Sequence, residues 1–306
     1  MSDNQATAYL KSPEATELTI KNHLSFSAGA GGLPKATLLS AKGLKAEVYL
    51  FGATITSLKS PDFGELLYLS PKADFSGTKP LRGGIPLVFP QFSGLGPLPA
   101  HGFARTSIWT PKQSCLLENG EVQLTLSLSS AGSSAALWPY QFEAELEITL
   151  GSALKTTMRI TNRGNPEFSF HNAFHTYFAV GDITAVQITP LGGLTYLDNT
   201  NKRAPNPEKR DIVSFSGETD RVYVRTPSSV VIRDEKLRRS ITIEKSNLPD
   251  CVVWNPGAER CQAIKDLPPD AFKSFVCAEP ANAVDAITLA GGQQWECAQL
   301  LSARKD

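Results

Sequence analysis

The feature that most constrains this chain is a hydrophobic pattern of period two. Residues 122–128 alternate apolar and polar side chains, and the same alternation runs over 142–148 and 154–160. Because side chains two apart share one face of a strand, each stretch predicts a strand with one buried face and one wet face. The last two stretches, separated by a short turn containing Gly151 and Ser152, predict a β-hairpin.

Similar short segments recur along the chain between clusters of Gly, Pro, Asn and Asp. They are residues 46–51, 222–225, 230–233, 240–244 and 287–289. Helical periodicity is nearly absent, and residues 270–275 have room for only a turn or two of helix. Many antiparallel strands without crossover helices predict an all-β sandwich or barrel. Since no linker or fixed-period repeat interrupts the pattern, we expect one domain over residues 15–303 after a flexible segment, 1–14.

Composition excludes several classes of function. Thirty Lys and Arg balance 30 Asp and Glu, so no global basic field favours nucleic acid as a partner. Five scattered cysteines without a C-x-x-C pair predict neither a disulfide framework nor a zinc site. The first residues lack the apolar stretch of a signal peptide, and no apolar run reaches 18 residues. These features predict a cytoplasmic protein without a membrane partner.

One Gly- and Pro-punctuated stretch concentrates polar side chains suited to binding an anion. It contains Arg82, Gln91, His101 and Arg105. Glycines allow the backbone to approach a ligand closely, and guanidinium groups match phosphate oxygens in planar geometry. An irregular loop whose arginines bind backbone carbonyls would have the same composition. The residues alone leave both interpretations open.

Three further positions combine titratable side chains with apolar surroundings. His171 and His175 would share a face of one strand, although a metal site there needs a third ligand and a buried core histidine is commoner. Glu279 ends an apolar segment that should be largely buried. Because an unpaired buried carboxylate is costly, Glu279 needs an interaction partner or a functional role unless the strand ends in solvent. Asp220 stands at the start of a strand, where capping a turn is its ordinary role.

Taken together, these segments resemble the hexose-6-phosphate mutarotases, a branch of the aldose 1-epimerase family. The resemblance spans residues 51–301. Its motifs occur in the expected order: RGGIPLVFPQF, HGFAR, FHTYFAV, TYLDN, TDRVY, LPDCVVWNP and FVCAEPAN. It implies a galactose-mutarotase-like antiparallel β-supersandwich, which agrees with the period-two pattern.

The resemblance also implies a mechanism and a set of site residues. His175 would protonate the ring oxygen of the sugar while Glu279 takes the proton from the C1 hydroxyl. Arg82 and Arg105 would bind the 6-phosphate. The sugar itself would contact Gln91, His101 and Asp220. The resemblance therefore implies a monomeric isomerase for a hexose 6-phosphate, with no metal and no cofactor.

Two other functions compete with this one. A noncatalytic carbohydrate-binding protein could retain the same fold after losing turnover, but the presence of both His175 and Glu279 favours an enzyme. A glycoside hydrolase would need two carboxylates that flank the scissile bond. Glu279 with Asp220 would be that pair, whereas the ordered motifs place a histidine opposite the glutamate.

Overall fold

Short antiparallel strands form nearly all the regular structure. The computed structural model describes residues 10, 12–130 and 132–306. The first ten strands are β1 (Leu24–Ala28), β2 (Pro34–Leu39), β3 (Lys45–Tyr49), β4 (Thr54–Ser60), β5 (Gly64–Glu65), β6 (Leu87–Val88), β7 (Thr110–Leu116), β8 (Val122–Ser129), β9 (Phe142–Leu150) and β10 (Leu154–Asn162). The others are β11 (Phe168–Phe174), β12 (Tyr177–Ala179), β13 (Val186–Thr189), β14 (Thr195–Asp198), β15 (Ala204–Pro207), β16 (Thr219–Tyr223), β17 (Ser229–Asp234), β18 (Arg239–Ser246), β19 (Asp250–Asn255), β20 (Phe275–Leu289) and β21 (Gln294–Lys305).

Within the described residues, the strands assemble into three antiparallel sheets. The first sheet has the order β1-β2-β3-β4-β5, and the second has the order β13-β17-β18-β21-β10-β9-β8-β7. The third sheet has the order β15-β14-β16-β19-β20-β11-β6, and β12 also pairs with β20. The α-helices are short: α1 (Pro13–Glu17), α2 (Gly132–Leu137) and α3 (Gly257–Ala263). The predicted all-β class is confirmed.

All three sheets contribute to one apolar core. Ile55 of the first sheet, Leu146 of the second and Val276 of the third belong to the same buried cluster. In β9 the alternation predicted from sequence appears as burial, because the apolar side chains are buried and the glutamates between them are only half-buried. The predicted hairpin is also present, with Leu150 of β9 opposite Leu154 of β10.

The long strand β20 is buried on both faces in its first nine residues. Val276 and Ala278 point into the core that the three sheets share. Phe275 and Cys277 lie on the opposite face, in a second cluster with Tyr177. In the buried first part of β20, residues 275–283, side chains of odd number therefore face away from the main core, and Glu279 follows Cys277 on that face.

A few local features differ from the sequence predictions. Residues 270–275 contain a 3₁₀ turn at Ala271–Lys273 before β20 begins. Helix α3 was not predicted, because its seven residues bury too few apolar side chains to give a helical period. At the N-terminus, the Ser12 hydroxyl caps α1. The rest of the predicted flexible segment, residues 1–9 and 11, lies outside the described residues. Among the described residues, no helix has the length and apolar character needed to cross a membrane.

The HGFAR segment is held against β6 through a single carbonyl group. The backbone N–H groups of Phe103 and Ala104 both donate to the Phe89 oxygen, at 3.0 and 3.2 Å. Gly102, which directly follows His101 in the sequence, has a φ of 71°. A Cβ atom at Gly102 would lie 2.1 Å from the Phe89 oxygen. Only glycine allows this approach, since other residues strain at such a φ and would also clash.

We expect Gly102→Ala to lower the free energy of unfolding by about 2–5 kcal/mol, the sum of left-handed backbone strain and overpacking. The matched control is Gly193→Ala, because Gly193 has a φ of 76° but no atom within 4 Å of an added Cβ. That control should cost only about 1–2 kcal/mol. Urea denaturation of both variants measures the difference, and equal losses would show that contact with Phe89 is unimportant.

Candidate active site

A cavity of ≈ 540 Å³ lies on the face of the third sheet that points away from the main core. Six of the seven predicted site residues line it. They are Arg82, His101, Arg105, His175, Asp220 and Glu279. These residues are distant in sequence, and the sheet register together with the loops at the sheet edge brings them together.

His175 and Glu279 form the centre of this cavity. His175 Nδ1 lies 3.1 Å from Glu279 Oε1, and the two side chains are 9% and 2% exposed. The two atoms are close but poorly aligned for a hydrogen bond. In the part of the chain that the structure describes, His175 Nδ1 and Glu279 Oε2 have no hydrogen-bond partner. The pair is therefore desolvated and has unused hydrogen-bonding capacity.

Burial moves the two pKa values in opposite directions. Desolvation, reinforced by the nearby Asp220 carboxylate, raises the pKa of Glu279 well above its ordinary value, although Arg105 opposes the shift. Desolvation also lowers the pKa of His175 well below its ordinary value, and the positive charges of Arg105 and Arg82 act in the same direction. Burial thus favours the neutral form of both groups, which for this pair means a proton on Glu279.

Two aromatic rings enclose the imidazole of His175. The Tyr177 ring stacks on it at 4.8 Å with an interplanar angle of 7°. The Trp254 ring contacts it edge-on at 6.0 Å and 88°. Both aromatic residues line the cavity, so they restrict the orientation of His175 and exclude water from one side of it.

The two arginines differ in how they are held. Arg82 Nε donates to Asp266 Oδ1 at 3.0 Å, and Arg82 Nη1 donates to the Tyr177 hydroxyl at 3.0 Å. Arg105 Nη2 donates to the Ala100 carbonyl at 2.9 Å, and its Nε has no partner among the described residues. Each guanidinium group therefore keeps donors available for an anion in the cavity.

His101 is neutral, and its tautomer follows from one contact. The Ser93 backbone N–H donates to His101 Nδ1 at 3.4 Å, which leaves the ring proton on Nε2. Burial lowers the pKa of His101 to about 3, assisted by the charges of Arg105 and Arg82. His101 lies 5.5 Å from His175 between ring centroids. It is thus a fixed neutral donor at the cavity.

Gln91 is the predicted site residue that does not line the cavity. Its Nε2 donates to the carbonyls of Ser93 and Leu98, each at 3.0 Å. Its Oε1 accepts from the Leu98 backbone N–H at 3.0 Å. The side chain fastens the loop that carries Ser93, and Ser93 in turn holds His101.

The two histidines of the HNAFHTYF segment are separated by the fold. A register irregularity lies between Phe170 and Asn172 in the pairing of β11 with β20, and β11 ends one residue before His175. His175 lines the cavity, whereas His171 does not. The extra residues of this irregularity lie on β20, and Phe170 and Phe174 of β11 both pack in the main core, so the alternation of β11 is intact. His171 therefore lies on the same side of the sheet as His175, as expected, but farther along the strand from the cavity.

Asp220 and several unpredicted residues complete the polar side of the cavity. The Asn199 amide donates to Asp220 Oδ1 at 2.6 Å, and burial raises the pKa of Asp220. Asn199 belongs to the TYLDN motif, so a signal for it was present. The cavity is also lined by Lys79, Glu218, Arg260 and Asp266. No sequence motif pointed to Asp266, because its pairing with Arg82 depends on the tertiary structure.

One group of side chains in this region has the composition of a metal site. His175, Cys277 and Glu279 are all buried, and their ligand atoms lie within 4.8 Å of one another. Among the described residues this is the group of His, Cys, Asp and Glu side chains that could hold a metal ion. Two of its members, His175 and Glu279, are the residues predicted to act as acid and base.

We expect the buried Glu279 carboxyl group to make the free energy of unfolding depend on pH. Because the folded protein binds the Glu279 proton more tightly than the unfolded chain, ionisation above the ordinary pKa of 4.5 costs stability. Glutamine cannot ionise. Glu279→Gln should therefore gain stability relative to wild type as pH rises, by up to about 1.4 kcal/mol per pH unit, until Glu279 is ionised in the folded state.

Urea denaturation across this pH range, with chelator present, measures the effect. Glu167→Gln, which removes an exposed carboxylate, controls for the loss of one formal charge. A stability difference between Glu279→Gln and wild type that does not change with pH would contradict the raised pKa.

Comparisons with known proteins place this site in a family. A model of the aldose 1-epimerase family matches residues 34–302. A candidate glucose-6-phosphate 1-epimerase of Cenchrus ciliaris is 37% identical over 280 residues, 89% of this chain and 85% of the relative. The crystal structure of a candidate mutarotase from Salmonella typhimurium superposes with a TM-score of 0.86 at 30% identity, covering 94% of this chain and 96% of that one. A galactose mutarotase-like protein of Clostridium acetobutylicum shares the fold, with a TM-score of 0.71 at 14% identity over 92% and 98% of the two chains. The chain therefore belongs to the aldose 1-epimerase family.

Proposed function

We propose that this protein interconverts the α and β anomers of glucose 6-phosphate and related hexose 6-phosphates by acid–base ring opening and reclosure. The observation that carries the proposal is a buried carboxylate and imidazole 3.1 Å apart in a cavity that also presents two guanidinium groups. The name of the Cenchrus ciliaris relative, a candidate glucose-6-phosphate 1-epimerase, supports this choice of substrate.

Glu279 and His175 together need to hold only one proton. With the proton on Glu279 both groups are neutral, as burial favours, and with the proton on His175 they form an ion pair of the same total charge. The short contact provides a path between the two states. The second state presents a carboxylate base and an imidazolium acid at once, which is what hemiacetal opening requires.

The proton balance closes over one catalytic cycle. His175 donates its proton to the ring oxygen as the C1–O5 bond breaks, and Glu279 accepts the proton of the C1 hydroxyl as the aldehyde forms. Rotation about C1–C2 then exposes either face of the aldehyde. On closure the C5 hydroxyl returns its proton to His175, and Glu279 returns its proton to O1. The chemistry therefore calls for no cofactor or metal.

Arg82 and Arg105 bind the 6-phosphate in this proposal. Arg82 is held by Asp266 on one edge and by the Tyr177 hydroxyl on another, so its remaining donors point in a defined direction. Since Tyr177 also stacks on His175, the anion site and the acid are in contact through one ring. Binding of phosphate thereby positions the sugar ring relative to the proton-transfer pair.

The sugar hydroxyls are contacted by His101 and Asp220. Neutral His101 donates from Nε2, and the Asp220 carboxylate accepts from a hydroxyl group. Gln91 acts indirectly, because it holds the loop on which Ser93 orients His101. These assignments divide polar contacts to the sugar between one donor and one acceptor.

We further propose a cytoplasmic monomer. All five cysteines are free and four are buried, which suits a reducing compartment. Among the described residues, exposed large apolar side chains such as Leu39, Leu116 and Leu237 lie on different elements, which suits a monomer.

We expect Glu279→Gln and His175→Asn each to slow anomer exchange by about 10²–10⁴-fold, because each removes one proton-transfer partner while nearly preserving shape. The double variant should lose little more than either single one, since the pair acts as a unit. Exchange spectroscopy by NMR on glucose 6-phosphate measures the rate. His171→Asn, on the same segment but outside the cavity, is the control. Near wild-type turnover in either single variant would exclude the acid–base assignment.

We expect Arg82→Ala and Arg105→Ala to impair turnover of glucose 6-phosphate more than turnover of free glucose. A charge-assisted hydrogen bond contributes about 1.5–3 kcal/mol, so each loss should lower kcat/KM for glucose 6-phosphate by about 10- to 150-fold. Exchange of free glucose should change much less. Arg82→Lys should rescue poorly, because one ammonium cannot contact Asp266, Tyr177 and phosphate together.

The same NMR measurement serves for both sugars. Arg163→Ala removes a guanidinium group that pairs with Glu143 on the second sheet, outside the cavity, and should leave both rates unchanged. If the cavity variants slowed free and phosphorylated glucose equally, the arginines would be structural and the enzyme a general aldose 1-epimerase.

A further inference from the structure

A buried trio of metal-ligand side chains lies beside the proposed proton-transfer pair. His175, Cys277 and Glu279 are 7%, 0% and 2% exposed. They offer an imidazole nitrogen, a sulfur and a carboxylate oxygen that all lie within 4.8 Å of one another. The acid–base reaction uses the first and third of these groups and has no use for the thiol.

Strand β20 holds Cys277 and Glu279, and the two-residue link between β11 and β12 carries His175. Cys277 and Glu279 are two residues apart on β20, so their side chains lie on the same face. Tyr177 of β12 is directly opposite Cys277 in the sheet, and His175 stacks on Tyr177. Ligand positions set by neighbouring strands are well ordered before any ion arrives.

Two atoms of the trio have unused bonding capacity. His175 Nδ1 and Glu279 Oε2 have no hydrogen-bond partner among the described residues, and both atoms are shielded from solvent. A buried polar atom without a partner costs about 1–3 kcal/mol. A cation bound between these atoms would satisfy lone pairs that the protein itself leaves unpaired.

We propose that His175, Cys277 and Glu279 form a binding site for Zn²⁺, and that the bound ion inhibits the enzyme by occupying its acid and its base. Mixed nitrogen, sulfur and oxygen ligands suit zinc, whereas Mg²⁺ and Ca²⁺ select oxygen. Ligand atoms of a tetrahedral zinc site lie about 3.3–3.8 Å apart, so a shift of about 1 Å closes the widest gap. The fourth position opens to the cavity, which His175 and Glu279 line.

The charges around the trio set the character of the site. A thiolate and a carboxylate neutralise the dication, and the protons of Cys277 and Glu279 both leave to solvent when the ion binds. Arg82 and Arg105 lie close enough to act on His175 and oppose a second positive centre. Binding is therefore reversible by a chelator, and it excludes the sugar phosphate, which needs the same two side chains.

Cobalt(II) added to the full chain tests the site without reference to activity. We expect a thiolate-to-cobalt charge-transfer band in the near ultraviolet, which Zn²⁺ abolishes by displacement. Cys277→Ser and Cys277→Ala should lose the band. Cys251→Ser should keep it, because Cys251 is equally buried on the neighbouring strand β19 but outside the trio. Glu279→Gln should weaken it, which tests the site even if the Cys277 variants fold poorly.

Anomer exchange tests the inhibitory consequence, which rests on the proposed function. Zn²⁺ should inhibit wild type competitively with glucose 6-phosphate, and chelator should restore the rate. Cys277→Ser should retain the metal-free rate and need about 100-fold more Zn²⁺ for the same inhibition. Absence of the cobalt band in wild type, its persistence without Cys277, or equal zinc sensitivity of both proteins would overturn the proposal. A normal cobalt result without any anomer exchange would refute the function and leave the metal site standing.

Discussion

The chemistry of this protein depends on the burial of both faces of β20. Val276 and Ala278 anchor the strand in the core that all three sheets share, while Cys277 and Glu279 face a second, enclosed space. A carboxylate on an edge strand would be hydrated and ionised. Here the same residue type lies where charge is expensive, so its proton affinity is raised.

The charged groups around this centre compensate one another. Asp266 and the Tyr177 hydroxyl orient Arg82, and the two arginines disfavour a proton on His175. A dianionic phosphate would neutralise those arginines and make protonation of His175 easier. In the proposed mechanism substrate binding would itself prepare the acid, because Arg82 and His175 both contact the Tyr177 side chain.

Desolvation has a second consequence at the same place. Burial of His175 and Glu279 strengthens the electrostatic interactions between them, because water screens buried groups less. It also leaves lone pairs unsatisfied, and lone pairs beside a thiol attract soft metal ions. The proposed acid–base reactivity and the proposed zinc site thus depend on one physical property, the burial of His175 and Glu279.

The sequence by itself determined the all-β class, because alternation in segments such as 142–148 and 154–160 is compatible only with half-buried strands. The ordered motifs identified His175, Glu279 and the two cavity arginines as candidates, since these residue types carry the chemistry. The tertiary structure alone decided the rest. It left His171 outside the cavity that His175 lines, turned Gln91 into a loop support, paired Asp266 with Arg82 and placed Cys277 beside the proposed proton-transfer pair. Each of these outcomes depends on register and contacts between distant segments, and local side-chain patterns carry no information about either.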